Sequence, residues 1–392
     1  MRILFHDYGG YPFLIQFSRQ LARLGFDVLH IYPGYNNSPR GEMAQTDGDL
    51  PNLTIKPLYT RTRLNKYSFI KRFIQENEFG RLVSKEIIAW QPDLVLSANA
   101  PLDSQKHILR AARQHNAHFV FWLQDLLGIA SERILSKKIP LLGKWIGKYY
   151  IRKEQNLLRQ SDAIISICEE FVPLIGSPHP DVLVLPNWSP IEEMPLLPKR
   201  NPWSAAHSLD TTFNIIYSGT LGYKQNPEML WQLAEHFHSD SAVRVVVLSE
   251  GLGAQILTEV KQTRNLTNLL VIPYQSFSEY PQVLATADVL VGTLDMDAGI
   301  FSVPSKVLAY LCSGRPQVLA CPSQNLAARL ITQHDAGIVT TPGNTGEMIQ
   351  AIDHLRQNPE LSKLIGKNGR QYAEKHFIIE PIVNQVIDFL QL

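Results

Sequence analysis

The chain has 392 residues, 45% of them hydrophobic, with 37 Lys+Arg against 36 Asp+Glu. That length suits two domains with sizeable cores, and a formal charge of +1 excludes a globally basic nucleic-acid binder and a highly charged disordered chain. The charge is uneven, however: residues 1–200 carry 25 basic and 19 acidic side chains and residues 201–392 carry 12 and 17, so the first half is the better match for an anionic partner.

Ile3-Leu4-Phe5 reads as a short buried strand, broken at Gly9-Gly10. Pro12 suits the first turn of a helix, where its missing N–H costs nothing. Phe13, Phe17, Leu21 and Leu24 keep helical spacing, and Gly25 supplies the stop. Phe26–Tyr32 returns as a strand, which makes the opening unit βαβ and its sheet parallel. Asp93–Ser97, Phe119–Leu123, Ala163–Cys168 and Val182–Leu185 continue the alternation. Pro186, Pro190, Pro195, Pro198 and Pro202 then fall within 17 positions, a composition that disfavours regular structure. A second series of strands follows at Asn214–Ser218, Val243–Ser249, Leu269–Pro273, Val289–Leu294, Gln317–Ala320 and Gly337–Thr340. The expected fold is α/β, with Rossmann-like domains over 1–190 and 211–375 and a Pro-rich linker over 191–210. A helix over 376–392 is expected to pack back on the first domain. Sheets of this kind bind ligands at the carboxyl ends of their strands, so two of them facing each other are expected to form a cleft.

Cys168, Cys312 and Cys321 form no CxxC pair and are too few for a disulfide framework, which fits a reducing cytoplasm. The N-terminus meets charge too early for a signal peptide, and no apolar run nears the ~18 residues of a membrane span. Any membrane contact is expected to be peripheral.

The sharpest local signal runs from Tyr217 to Glu228. A strand ends in a loop holding Ser218, Gly219, Thr220, Gly222 and Lys224, and Asn226, Pro227 and Glu228 then suit a helix start. The glycines allow close backbone approach, and the loop N–H groups with Lys224 suit a phosphate; an ordinary strand–helix turn is the alternative. The loop is neither a Walker loop nor GxGxxG. A second segment, Ser302-Val303-Pro304-Ser305-Lys306, can begin a helix that ends at Gly314, placing a positive helix end and a lysine near the same ligand. Asp295-Met296-Asp297 matches a DxD metal clamp, but a solvated turn is the preferred reading.

These residues resemble glycosyltransferase family 4, in the branch that builds bacterial exopolysaccharide and O-antigen units of the colanic-acid type. The resemblance rests on Ser218–Gly222, Ala287-Asp288-Val289, Val303–Lys306, Gly314-Arg315-Pro316, Pro186-Asn187-Trp188, Ser161–Ser166 and the opening βαβ unit. It implies a GT-B fold, with a nucleotide-sugar donor held mainly by the C-terminal domain, and a retaining, metal-independent transfer without a cofactor. Lys224, Ser305 and Lys306 would surround the donor diphosphate, with Gly9 and Gly10 bordering it from the other side. Tyr274 would lie near the base, and Glu250 and Gly251 would line the pocket. Three departures stand out. Ala309 and Phe301 occupy places where many members carry glutamates, Thr220 replaces an arginine, and Gln124 stands where a histidine often ends the strand. Asp125, beside it, is then the candidate to orient the acceptor or take its proton; a helix-capping loop aspartate is the alternative. A nucleotide-sugar epimerase and a non-catalytic sugar-nucleotide binder share the architecture and remain rivals.

Residues 133–153 contain Arg133, Lys137, Lys138, Lys144, Lys148, Arg152 and Lys153 and no acidic residue. Lys144, Lys148 and Arg152 repeat every fourth position beside a stripe of Leu141, Trp145 and Tyr149, the pattern of an interfacial helix. Arg61, Arg63, Lys66, Lys71 and Arg72, with Tyr67 and Phe69, repeat it. The expected partners are therefore a lipid-linked or glycan acceptor and an anionic membrane surface, on the inner face of the plasma membrane, and not nucleic acid. A core-packing helix with its lysines in water is the alternative.

Overall fold

The computed structural model describes residues 1–35, 43–62, 69–222 and 224–392, leaving aside the side chains of 69, 70 and 138. The chain divides into two compact units. Unit 1 is Met1–Asn187 with Ile379–Leu392, and unit 2 is Trp188–Ile378.

Unit 1 is built on seven parallel strands: β1 (Arg2–Asp7), β2 (Asp27–Pro33), β3 (Leu53–Leu58), β4 (Leu94–Ala98), β5 (His118–Leu123), β6 (Ala163–Ser166) and β7 (Val182–Val184). Their order is β3-β2-β1-β4-β5-β6-β7, so the direction of strand addition reverses between β1 and β4. Ile3, Leu4 and Phe5 are fully buried, as a parallel strand covered on both faces requires. The connections carry α1 (Pro12–Arg23), α2 (Phe69–Trp90), α3 (Leu102–Gln114), α4 (Leu127–Lys138) and α5 (Pro140–Gln160). Strand β3 has no counterpart in the sequence expectations. Its Lys56-Pro57 pair breaks the apolar pattern, which is tolerated because β3 is an edge strand.

Unit 2 repeats the plan with six parallel strands: β8 (Phe213–Ser218), β9 (Val243–Leu248), β10 (Leu269–Ile272), β11 (Val289–Thr293), β12 (Gln317–Ala320) and β13 (Ile338–Thr340). Their order is β10-β9-β8-β11-β12-β13, with the reversal between β8 and β11. Its helices are α6 (Pro202–Ala206), α7 (Pro227–His236), α8 (Leu252–Thr263), α9 (Tyr280–Ala285), α10 (Lys306–Cys312), α11 (Leu326–Gln333), α12 (Thr345–Gln357) and α13 (Pro359–His376). Tyr217, Val245, Val247, Val291, Leu233 and Ile352 belong to its core.

Most of the stretch expected as a linker, 191–210, is packed into unit 2. Met194 and Trp203 are buried there. Asn201 and Ser204 form a capping box, and Pro202 takes the first turn of α6. Dense proline here marks tight turns and a helix start, not a free connector. The last helix, α14 (Ile379–Leu390), belongs to unit 1 and packs on α1, burying Ile379, Ile382, Val383 and Val386.

Candidate functional site

The reversal point between β8 and β11 gathers the residues singled out in the second half. Such a point leaves a crevice outside the carboxyl ends of the strands. There β8 ends in Ser218, and Gly219 follows at φ +134°, a conformation open to glycine. The Gly219 N–H donates to Leu248 O at 3.0 Å, and the Tyr217 hydroxyl donates to Thr220 O at 2.8 Å. Thr220 Oγ1 lies 3.2 Å from the Tyr274 hydroxyl. Tyr310 accepts the Ser218 N–H at 2.9 Å, so α10 is pinned to the strand end. The loop closes on Gln225, whose side chain accepts from Gly222 N at 3.0 Å. Asn226 then caps α7 through Glu228 N at 3.0 Å.

Two lysines meet this turn. Lys224 Nζ donates to Ser302 Oγ at 3.0 Å and lies 5.3 Å from the centre of the Phe301 ring. The Lys224 carbonyl accepts from Asp295 N at 2.9 Å, which ties the loop to the turn where the DxD-like segment enters a short 3-10 helix. Lys306 rises from the start of α10 and passes Gly292. Its ammonium sits 3.3 Å from the centre of the Tyr217 ring. A Cβ built at Gly219 would lie 3.2 Å from that nitrogen, so glycine is also required by the lysine beneath it. The nitrogen is buried and has no hydrogen-bond partner among the described residues, and burial pushes its pKa well below the ordinary lysine value.

α10 starts where the sequence suggested, at Lys306 after Ser305, but it has only seven residues, and the Ser305 side chain makes no cap bond. Val303 and Pro304 lead into α10; Ser305 is exposed. Gly251, at φ +86°, starts α8 after the exposed Glu250. Burial raises the Tyr274 phenol.

In unit 1 the corresponding turn, Gly9-Gly10, is differently supplied. The Asp7 carboxylate accepts the N–H groups of Gly10 at 2.8 Å and Tyr11 at 2.7 Å. His6, buried beside them, holds Ser97 Oγ at 2.8 Å, and burial lowers its pKa to about 3. Asp125 is half-buried after β5, and its carbonyl accepts from Leu127 N at 3.1 Å at the entry to α4. Gln124 accepts from Asn187 Nδ2 at 3.1 Å.

The sequence reading missed Glu154. It is buried on α5, and its Oε2 accepts from Gly128 N at 3.1 Å. Burial pushes its pKa up to about 8, and the charge of Asp125 adds to the shift. Gly143, Gly147 and Glu154 share the buried face of α5, four and seven residues apart, and that spacing was the available signal. The basic stretch 133–153 is two helices broken at Ile139-Pro140. Lys144, Lys148 and Arg152 are exposed, as are Leu141 (84%), Trp145 (76%) and Tyr149 (58%). Lys153 departs from the set: it is buried against Asp103, which also accepts from the Tyr150 hydroxyl at 2.9 Å. In the second basic segment Arg72 pairs with Glu76. Arg63, Lys66, Tyr67 and the side chain of Phe69 lie outside the described residues. No described helix is long and apolar enough to cross a membrane.

Residues 199–372 match the family model for glycosyl transferases group 1. Over 310 residues, 76% of this chain and 74% of the relative, the sequence is 22% identical to the Escherichia coli K12 protein WcaI, described as a colanic acid biosynthesis glycosyl transferase. HepE of Anabaena, solved with UDP and glucose, superposes with a TM-score of 0.73 at 17% identity, covering 100% of this chain and 99% of that one. WaaG, a glycosyltransferase involved in lipopolysaccharide biosynthesis, gives 0.66 at 13% identity and 99% of both chains.

Proposed function

We propose that the chain, whose residues 199–372 match the model for group 1 glycosyl transferases and whose fold is GT-B, moves a sugar from a nucleotide-diphosphate donor to a lipid-linked or polysaccharide acceptor with retention at the anomeric carbon. The observation that carries this reading is the Lys306 side-chain nitrogen, buried at the Gly219 turn with no hydrogen-bond partner among the described residues. A basic nitrogen so placed lacks a partner that an anion would supply, and a diphosphate is such an anion. HepE, of the same fold, is described with UDP and with UDP-glucose, which supports a nucleotide sugar as that anion. WcaI and WaaG, described in colanic acid and lipopolysaccharide synthesis, support a cell-surface glycan as the product.

In this reading the bond between the anomeric carbon and the β-phosphate oxygen breaks, and negative charge gathers on the β-phosphate. Lys224, Lys306 and the amides of the glycine turn stabilise that charge, so no metal is called for. The acceptor hydroxyl bonds to the anomeric carbon on the face the phosphate leaves, and its proton passes to the departing phosphate. Asp125 is assigned to the acceptor. Lys224→Ala is expected to lower turnover at least ~100-fold, the scale of losing one fixed charge-stabilising group, with unchanged circular dichroism. Normal turnover would remove the assignment. Isomerised nucleotide sugar formed without acceptor would favour the epimerase instead.

The lipid-linked acceptor draws support from the α4–α5 hairpin. Its exposed apolar tip, Ile139, Leu141, Leu142 and Trp145, is bordered by Lys144, Lys148 and Arg152. A membrane-surface helix combines these features. Neutralising the three cations together is expected to weaken sedimentation with vesicles containing phosphatidylglycerol; unchanged sedimentation would exclude a membrane role for this face.

A further inference from the structure

We propose that Lys306 takes up a proton from solvent as a nucleoside diphosphate enters the Gly219 turn, so that donor binding and protonation of this side chain are one event. The inference rests on the donor-site reading above and adds a proton to it. An ammonium in water keeps three hydrogen bonds, whereas here the nitrogen is buried with none. Beside it lies the Tyr217 ring, 3.3 Å to the centre, whose hydroxyl is held by Thr220 O at 2.8 Å. A π face offsets only part of the cost of desolvating a full charge.

The surrounding elements add no compensating charge. β8 offers Tyr217, α10 offers Tyr310 and α9 offers Tyr280, all phenols that burial keeps protonated. From the loop comes a second cation, Lys224. β11 contributes Gly292 and the hydroxyl of Thr293 beside the lysine's strand-end position. Among the described residues, desolvation alone acts on Lys306, and no carboxylate works against it. The neutral amine is therefore the favoured form before ligand arrives. A diphosphate beside the turn reverses the balance: the nitrogen lone pair takes a proton from water, and the resulting ammonium faces phosphate oxygen.

The test is calorimetric titration of the whole protein with UDP, GDP, ADP, CDP and TDP at pH 8.5, where the terminal phosphate (second pKa ~6) is already ionised. Each titration is repeated in two buffers of different ionisation enthalpy. The nucleotide that binds is expected to bring about one proton with it, and its affinity to fall ~tenfold per pH unit from pH 7.5 to 9. Lys306→Arg, charged at every pH used, is expected to bind with no proton uptake, and Lys306→Met to bind weakly with none. Equal heats in both buffers with a flat affinity profile for the wild type would overturn the inference and leave the donor site standing. Uptake that persists in Lys306→Met would overturn it by assigning the proton elsewhere. If none of the five nucleotides binds the wild type, the donor-site reading fails and takes the inference with it.

Discussion

The two sheets each place a glycine turn at the point where strand order reverses, and the two turns handle charge in opposite ways. After β1, the amides of Gly10 and Tyr11 are taken by the Asp7 carboxylate of the same turn. After β8, Gly219 covers a lysine whose side-chain nitrogen has no hydrogen-bond partner among the described residues. A turn that has answered its own polar groups adds stability, and one that leaves a buried amine unanswered is ready for a ligand that can supply the opposite charge. On the proposed reading the shared topology separates into a supporting copy and a binding copy, and the difference lies in which residues stand within a few positions of the glycine.

Substituting Gly219→Ala tests the contrast hardest. At φ +134°, with the lysine 3.1–3.2 Å from the added carbon, the turn must distort. Strain of ~1–3 kcal/mol corresponds to ~10–100-fold weaker nucleoside diphosphate binding by calorimetry. Full affinity would break the comparison. Asp7→Ala should act on the other copy: ~1–3 kcal/mol of stability lost in denaturant unfolding, because two amides lose their acceptor, with nucleotide affinity unchanged. Weaker nucleotide binding in that variant would mean the first turn also serves the ligand.

The two units also differ in what burial does to titrating groups, which is read in pH dependence. The Glu154 carboxyl titrates near 8 in the folded protein against 4.5 ordinarily, so the folded state holds the extra proton between those values. Stability therefore falls as pH rises through that window, and Glu154→Gln should flatten the fall by about one proton. His6 and His30 act in reverse. Both titrate near 3 when folded against 6.5 ordinarily, so the unfolded chain holds more protons from pH 3 to 6.5, and stability rises with pH there. Urea midpoints at half-unit pH steps measure both. A profile for Glu154→Gln identical to that of the wild type would show that Glu154 is ionised when folded.

Much of the fold was legible because its signals are local. Pro12 opens α1, and Asn226 with Pro227 opens α7, each within ten residues of the strand that precedes it. Strand β3 was lost because Pro57 looks forbidding until its edge position is known. The stretch 191–210 was misread because proline density does not distinguish a free connector from turns packed on a core. In the site, Lys224 and Lys306 were both picked out, but the buried nitrogen of Lys306 was not foreseeable. Its setting is made by Tyr217, Gly219 and Gly292, residues distant in sequence that the β8–β11 pairing brings together. Glu154 directly follows the basic stretch read for its surface, and its partner, Gly128, belongs to the preceding helix.

The placement of α14 in unit 1 bears on how the protein is made. Residues 188–378 are translated between the two parts of that unit, and at ~5–20 residues per second this takes roughly ten seconds or more. Throughout that interval α1 stands at the ribosome without the apolar partner that Ile379, Ile382, Val383 and Val386 later supply. The nascent first unit is thus the stage open to chaperones and to aggregation, and a premature stop near 378 would damage the unit made first more than the one just completed.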